Sequence, residues 1–444
     1  MKKLKALALA ILIFITSLFF SSQAFAASSK DIVNPRQKYS YKQMVSDIKS
    51  LQKKYPDIIK FEEIGKTEYK RKIYAVMLGE VGKEEGKAQV FINGAHHARE
   101  WLTTNLNMHM LEQYAKAVNS DKKFDGYNIK KILKSCNIWF VPMVNPDGVV
   151  LAQKGASAFP KDKRKGLISM NKGSKNFDRW KANGKGVDLN RQYDADWKTT
   201  ATLGVTKPNY QHYKGKKKVS AAETKAIVKF VNKIKPVMAV AYHSTGKVLY
   251  WNYKQNKANY KRDKVYADKI SSLTGYRLIY HNGGNTTGSG FTDWFVLKQK
   301  SPGFTPEICK SRFESSPPVS EFDKTWSENR KVGAYVASES IKLHEKWAKV
   351  TGFFSRTRNA ISKMNNANKS YVAVNKQPDV TFKKLIDNLK IRKAKLDKKT
   401  KALKKLPPYR KSGVKHSSLN KEITKSVKVA ENYIKNWKSN EETQ

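Results

Sequence analysis

His97 and Glu100 stand three residues apart in His96-His97-Ala98-Arg99-Glu100-Trp101, a segment that closely follows the apolar run Ala88–Gly94. On a helical turn that spacing puts an imidazole and a carboxylate on one face. Here they would converge just beyond the carboxyl end of a strand, where open α/β sheets bind ligands. Two such donors suit a divalent metal, but they equally suit an ion pair within one turn. His243 bears on the choice, because it follows a second buried-strand candidate, Pro236-Val237-Met238-Ala239-Val240-Ala241-Tyr242, and would bring another imidazole to a strand end. Two histidines, a carboxylate and an open position are how a catalytic zinc is held, and such a zinc makes its water acidic enough to attack a carbonyl. That water needs a base. Glu307, enclosed by Phe304-Thr305-Pro306 and Ile308, is the candidate, since burial lifts a carboxyl pKa toward the working pH. A strand glutamate paired with a lysine is the other reading of it. The expected chemistry is hydrolysis with one Zn2+ per chain. His96 is the nearest competitor for the metal but points elsewhere if its neighbour ligates; His109, His212, His281, His344 and His416 lack a strand-end setting and are expected in the core or on the surface.

The elements that must position these groups alternate between helical and strand-like patterns from 39 to 349, which predicts one α/β domain with a largely buried sheet. A helix is expected over 41–55. Strands are expected at 58–64, Lys72–Leu78, Ala88–Gly94, 136–144, 237–242 and Gly303–Ile308, with the segment after Gly94 opening a long helix. Asn145-Pro146-Asp147-Gly148 reads as a turn, and the Lys- and Gly-rich stretch 147–188 as loop. Helices at 220–234 and 326–347 complete the domain.

At the amino end, Lys2, Lys3 and Lys5 precede the apolar run 6–20 and an Ala24-Phe25-Ala26 cleavage site, so 1–26 reads as an export signal. The run is shorter than the roughly 20 residues a bilayer span needs, and no membrane span is expected after cleavage. A net charge of +50 exceeds anything solubility requires and implies a polyanionic partner. Nucleic acid would be the default for an intracellular chain; export makes the anionic polymers of a bacterial wall, teichoic acids above all, the expected partner, and the location secreted or wall-associated. A generally basic proteome is the bland alternative. Cys136 and Cys309 lie in apolar runs and read as core thiols, with a single bridge still open. Beyond 351 the composition shifts to 24 Lys and Arg against 7 Asp and Glu. Phe382, Leu385, Ile386 and Leu389, then Ile423, Val427, Ala430, Ile434 and Trp437, follow helical spacing around Pro407-Pro408. The segment 351–444 is therefore expected to be a small basic helical module, either a bundle with a solvated face or an electrostatic wall anchor.

Five segments, His97-Ala98-Arg99-Glu100-Trp101, Asn145-Pro146-Asp147-Gly148, Asp188-Leu189-Asn190-Arg191, His243-Ser244 and Phe304-Thr305-Pro306-Glu307, resemble the zinc carboxypeptidase family and occur in its order. The resemblance implies a three-layer α/β/α fold with a mixed eight-stranded sheet, zinc on His97, Glu100 and His243, and Glu307 as base and later acid. It also implies that Asn190 and Arg191 hold a substrate carboxylate, that Arg99 is a second basic contact, and that Thr292 lies at the base of the specificity pocket. The chain departs from the digestive branch at three places. Gly184 falls where that branch carries an oxyanion arginine, so another group must substitute, with Lys181 and Lys185 as candidates, or zinc must carry more of the charge; Asn285 falls where it has a mobile tyrosine; and Thr292 replaces the aspartate that would select basic side chains. The stretches 171–177, 179–183, 188–193 and 304–308 are most similar to bacterial γ-D-glutamyl-L-diamino acid endopeptidases, which cut peptidoglycan stem peptides on the amino side of diaminopimelate. No LysM repeat is apparent, so the basic module is expected to take over wall binding. A secreted carboxypeptidase acting on protein C-termini and a non-catalytic wall-binding protein are the readings kept beside this one.

Overall fold

Eight strands form a single mixed sheet in the computed structural model, which describes residues 31–441 apart from 282–287, 311–313 and 412–417. The expected signal segment and Asn285 lie outside the described residues. The strands are β1 (Ile59–Lys66), β2 (Lys72–Leu78), β3 (Ala88–Gly94), β4 (Cys136–Val141), β5 (Met238–Ser244), β6 (Val248–Tyr250), β7 (Arg277–Ile279) and β8 (Gly303–Ile308), in the spatial order β1-β2-β4-β3-β5-β8-β6-β7. The central pairs β4–β3, β3–β5 and β5–β8 are parallel, and β1, β2 and β6 add antiparallel neighbours. Every residue of β4 is buried, as expected for a strand covered on both faces.

Because successive side chains in a strand point to opposite faces, the sheet feeds two cores. Val76, Leu78, Val90, Ile92, Ile138, Phe140, Val240 and Tyr242 pack beneath α1 (Tyr41–Lys54) and α2 (Leu102–Asn119). Their neighbours Ala75, Met77, Phe91, Trp139, Val141, Ala239 and Ala241 pack on the other side. The buried sheet is the one the alternating pattern predicted, and the three layers and eight mixed strands are those the family resemblance implied. Both cysteines are buried and unpaired.

Two expected connections are helical instead. Asn145 is the N-cap of α3 (Pro146–Lys154), its side chain accepting the Gly148 N–H at 2.9 Å, with Pro146 in the first turn where its missing N–H costs nothing. Within the stretch read as loop, α4 (Lys161–Met170) also forms. Its sequence has little periodicity, and it is held through Leu167, which packs with Phe159, Phe177 and Trp180. Helix α5 (Ala222–Ile234) covers the second core, α6 (Lys257–Thr274) follows β6, and α7 (Phe322–Asn329) leads to a long helix.

The second difference concerns the carboxyl end. Helix α8 (Val332–Ala373) runs unbroken for 42 residues, about 63 Å at 1.5 Å per residue, straight through the expected boundary at 349–351. Its first half packs on the sheet and its second half packs with α9 (Val380–Lys404) and α10 (Leu419–Glu441), so the catalytic and basic regions share one helix. No helix among the described residues is long and apolar enough to cross a membrane.

Candidate metal centre and catalytic cleft

Strands β3 and β5 lie side by side and parallel, with Gly94 opposite Tyr242, yet the chain leaves β3 toward β4 on one side and β5 pairs with β8 on the other. Their carboxyl ends therefore flank a crevice where the strand order switches direction. Gly94 ends β3 with no room for a side chain: a Cβ there would lie 2.8 Å from Thr103 Oγ1 and 2.8 Å from Asn107 Nδ2. Thr103 then pins the exit, accepting the Ala95 N–H at 2.7 Å and donating to the Glu100 carbonyl at 2.7 Å. Residues Ala98–Glu100 form a single 3-10 turn, not the start of the long helix. That turn carries His97 and Glu100 over the crevice, and β5 delivers His243 from within the strand, one residue before its end.

The three side chains meet. His97 Nδ1 is 2.7 Å from Glu100 Oε1, His243 Nδ1 is 2.8 Å from Glu100 Oε2, and the two Nδ1 atoms are 3.1 Å apart, all buried. Burial alone would raise the Glu100 carboxyl, but the facing imidazoles of His97 and His243 outweigh it and hold the group well below the carboxylate range. Burial lowers His243. Two imidazole nitrogens and an ionised carboxylate facing one another are electron-pair donors that only a cation or shared protons can reconcile. The set fits a divalent ion, and two histidines plus one glutamate match a catalytic zinc. His96 faces away, its Nε2 2.8 Å from Tyr193 Oη and its ring stacked on His243.

One member of the centre was part of a sequence motif but was given no role from it. Asp188 Oδ1 lies 3.1 Å from His97 Nε2; burial would raise this carboxyl, but Lys181 and His97 hold it well below its usual range. An ionised Asp188 draws the imidazole proton to Nε2 and leaves the Nδ1 lone pair aimed at the other donors. Replacing it by Asn is expected to weaken zinc binding about 10- to 100-fold, measured by competition with a chromophoric chelator. Unchanged affinity would remove Asp188 from the centre.

Glu307 sits directly opposite His243 in the β5–β8 register and lines a cleft of about 490 Å³ together with His97, Lys181, Asn190, Arg191 and Thr292. Burial and the charge of Glu100 raise its carboxyl well above the usual range, opposed by Lys181, Arg99 and Arg191. Among the described residues no lysine is in ion-pair contact with it. Asn190 lines the cleft, and its Oδ1 accepts the Phe291 N–H at 2.9 Å. Arg191 has one Nη on the Asn190 carbonyl at 3.0 Å and a buried Nε without a partner among the described residues. Thr292 Oγ1 is 2.6 Å from Thr305 Oγ1, so paired hydroxyls line the cleft there, with the Asp293 carboxyl beside them. Arg99 is not on this wall; its Nη1 donates to the Arg179 carbonyl at 3.1 Å.

The geometry separates the two lysines considered for the oxyanion. Lys181 lines the cleft, with its Nζ 3.6 Å from Asp188, whereas Lys185 pairs with Glu68 at 2.9 Å on the surface. Gly184 is packed against Tyr69, where a Cβ would lie 2.8 Å from the ring, so no side chain could be carried there. Tyr250, unassigned from sequence, also lines the cleft, as does His281, which was expected in the core or on the surface.

A family model described as zinc carboxypeptidase matches residues 44–332. Gamma-D-glutamyl-L-diamino acid endopeptidase 1 of Lysinibacillus sphaericus is 31% identical over 298 residues, covering 67% of this chain and 72% of its own. Carboxypeptidase B of Bos taurus is 26% identical over 297 residues, covering 64% and 66%. Among solved structures, carboxypeptidase A from Helicoverpa armigera superposes with a TM-score of 0.52 at 18% identity over 74% of this chain and 81% of that one, a likeness of fold.

Proposed function

We propose, from the premise that this chain belongs to the zinc carboxypeptidase family, that it is a secreted zinc metallopeptidase hydrolysing γ-D-glutamyl-diaminopimelate bonds in peptidoglycan stem peptides. The observation that carries the hydrolytic part is the meeting of His97, Glu100 and His243 beside Glu307. The choice of bond is supported by the endopeptidase relative and by Thr292, hydrogen-bonded to Thr305, standing where a Lys- or Arg-removing enzyme would carry its selecting acid.

When bound on His97, Glu100 and His243, zinc supplies polarisation of the scissile carbonyl and a water of lowered pKa. Glu307 takes the proton of the attacking water and returns it to the departing diaminopimelate nitrogen, a task for which a raised carboxyl pKa is matched. Lys181 meets the negative charge that develops on the carbonyl oxygen, a donor role worth about 3 kcal/mol. The Arg191 guanidinium and the Asn190 amide hold a substrate carboxylate, a planar fork against a planar acid. Arg99, off the cleft wall but near enough for its charge to act on Glu307, would contact only a substrate that extends past that wall. Segment 1–26 would direct export, and 351–444 would hold the enzyme to anionic wall polymers.

The zinc-loaded protein is expected to convert a muropeptide mixture into fragments ending in D-glutamate and fragments beginning with diaminopimelate, resolved by mass spectrometry. Intact stem peptides alongside release of single C-terminal residues from ordinary peptides would replace this reading with that of a secreted carboxypeptidase.

A further inference from the structure

Between α8 and α9 runs a groove of about 740 Å³ lined by Arg356, Lys384, Arg392, Lys395, Lys398 and Lys399, with Asp387 as its one acid. Five of these cations come from α9 and fall within about a third of its circumference at 3.6 residues per turn, so they form a row, not a collar. From Lys384 to Lys399 the row extends about 22 Å. None of the six is in ion-pair contact with a carboxylate among the described residues, although α9 does pair on its other side, where Lys390 meets Glu431 at 2.6 Å.

Several of these groups are held in place. Arg392 Nε donates to Asn388 Oδ1 at 2.6 Å and its Nη1 reaches Thr357 Oγ1 at 3.5 Å. Gly352 leaves space for Arg356, whose Nη1 would lie 2.9 Å from a Cβ at that position. Lys399 Nζ sits over the Phe353 ring at 5.8 Å. Six like charges ordered side by side repel one another, and the repulsion is relieved when an anion runs along them.

We propose that this groove is the binding track for a phosphodiester polymer of the cell wall, one carrying an anionic phosphate in each repeat; this rests on the anchoring part of the function proposed above. A row of this length addresses a chain of charges better than a single phosphate. Guanidinium groups at Arg356 and Arg392 suit phosphate oxygens. The one aromatic ring lining the groove, Phe353, is buried beneath Lys399, which leaves no platform for stacking the bases of a single-stranded nucleic acid.

The test titrates the full mature chain with poly(glycerol phosphate) over a salt series. A groove variant, Arg392→Gln with Lys395→Gln and Lys398→Gln, is compared with a control of equal charge change on α10, Lys421→Gln with Lys425→Gln and Lys428→Gln. The groove variant is expected to bind at least tenfold more weakly, with a salt slope shallower by about two, and a second groove variant, Lys384→Gln with Lys399→Gln, to follow it. The control should change by less than threefold, and all should cleave soluble stem peptides at the wild-type rate. Equal losses in groove and control variants would overturn the track in favour of diffuse attraction. Groove-dependent binding of polyglutamate or duplex DNA as tight as that of the phosphate polymer would overturn the ligand. Stem-peptide cleavage without any polymer binding would remove the anchor and the track and leave the hydrolytic reading standing, whereas polymer binding without stem-peptide cleavage would do the reverse.

Discussion

Replacing Glu307 by Gln is expected to lower kcat/KM by about 10²- to 10⁴-fold while leaving one zinc per chain. Gln keeps the size and planarity of the side chain but cannot take a proton from water, so the change removes the base and little else. A thousandfold loss corresponds to about 4 kcal/mol of transition-state stabilisation. The prediction is specific because Glu307 stands beside the metal cluster without belonging to it: His243 is its register partner, and the three mutually close donor atoms come from other residues. Metal content by elemental analysis, run beside the kinetics, decides the matter. Loss of zinc together with activity would make Glu307 a ligand and not a base. Wild-type protein with bound zinc and no turnover on any peptide would favour a wall-binding protein that has kept the fold.

How far these groups could be located beforehand depended on whether the signal was local. Strands Lys72–Leu78, Ala88–Gly94 and Gly303–Ile308 have the bounds their apolar runs predict, since a strand buried on both faces needs a continuous run and little else. The placing of β3 between β4 and β5 was not legible, because pairing is a long-range choice that leaves no mark in either strand. Asp188 was visible as part of a motif but not as the partner of His97, a residue 91 positions away. Asn145-Pro146 was misread for a chemical reason: the same side chains that make turns also cap helices, and only the apolar stretch Val149-Val150-Leu151-Ala152 behind them argues for the helix. The boundary at 349–351 was drawn from the shift in composition, which does not show where a helix ends. The helix passes through that boundary because both sides are packed, and Arg356 folds over the space Gly352 leaves. Lys181 and Lys185 could not be separated by sequence, since whether a lysine reaches a cleft or a surface glutamate is settled by packing.

His243→Ala is expected to abolish turnover at stoichiometric zinc and to weaken zinc binding by more than the roughly 100-fold that bounds the loss of an outer partner such as Asp188. The argument turns on where the replaced group stands. His243 Nδ1 is within 2.8 Å of Glu100 and 3.1 Å of His97, so its removal leaves two donors from one short turn, too few to hold a catalytic zinc with an open position. The neighbouring ring makes the contrast. His96 stacks on His243 and is equally buried, but its Nε2 is engaged by Tyr193, and burial together with the other imidazoles holds its pKa well below the usual value, so that it stays neutral. His96→Asn should therefore lower stability, measured by denaturant unfolding, while the folded fraction keeps its zinc. Two substitutions at touching rings are thus expected to separate metal binding from packing. If both variants retained zinc equally, the third ligand would have to be sought elsewhere along the cleft, and the water that Glu307 is placed to deprotonate would lose its activating ion.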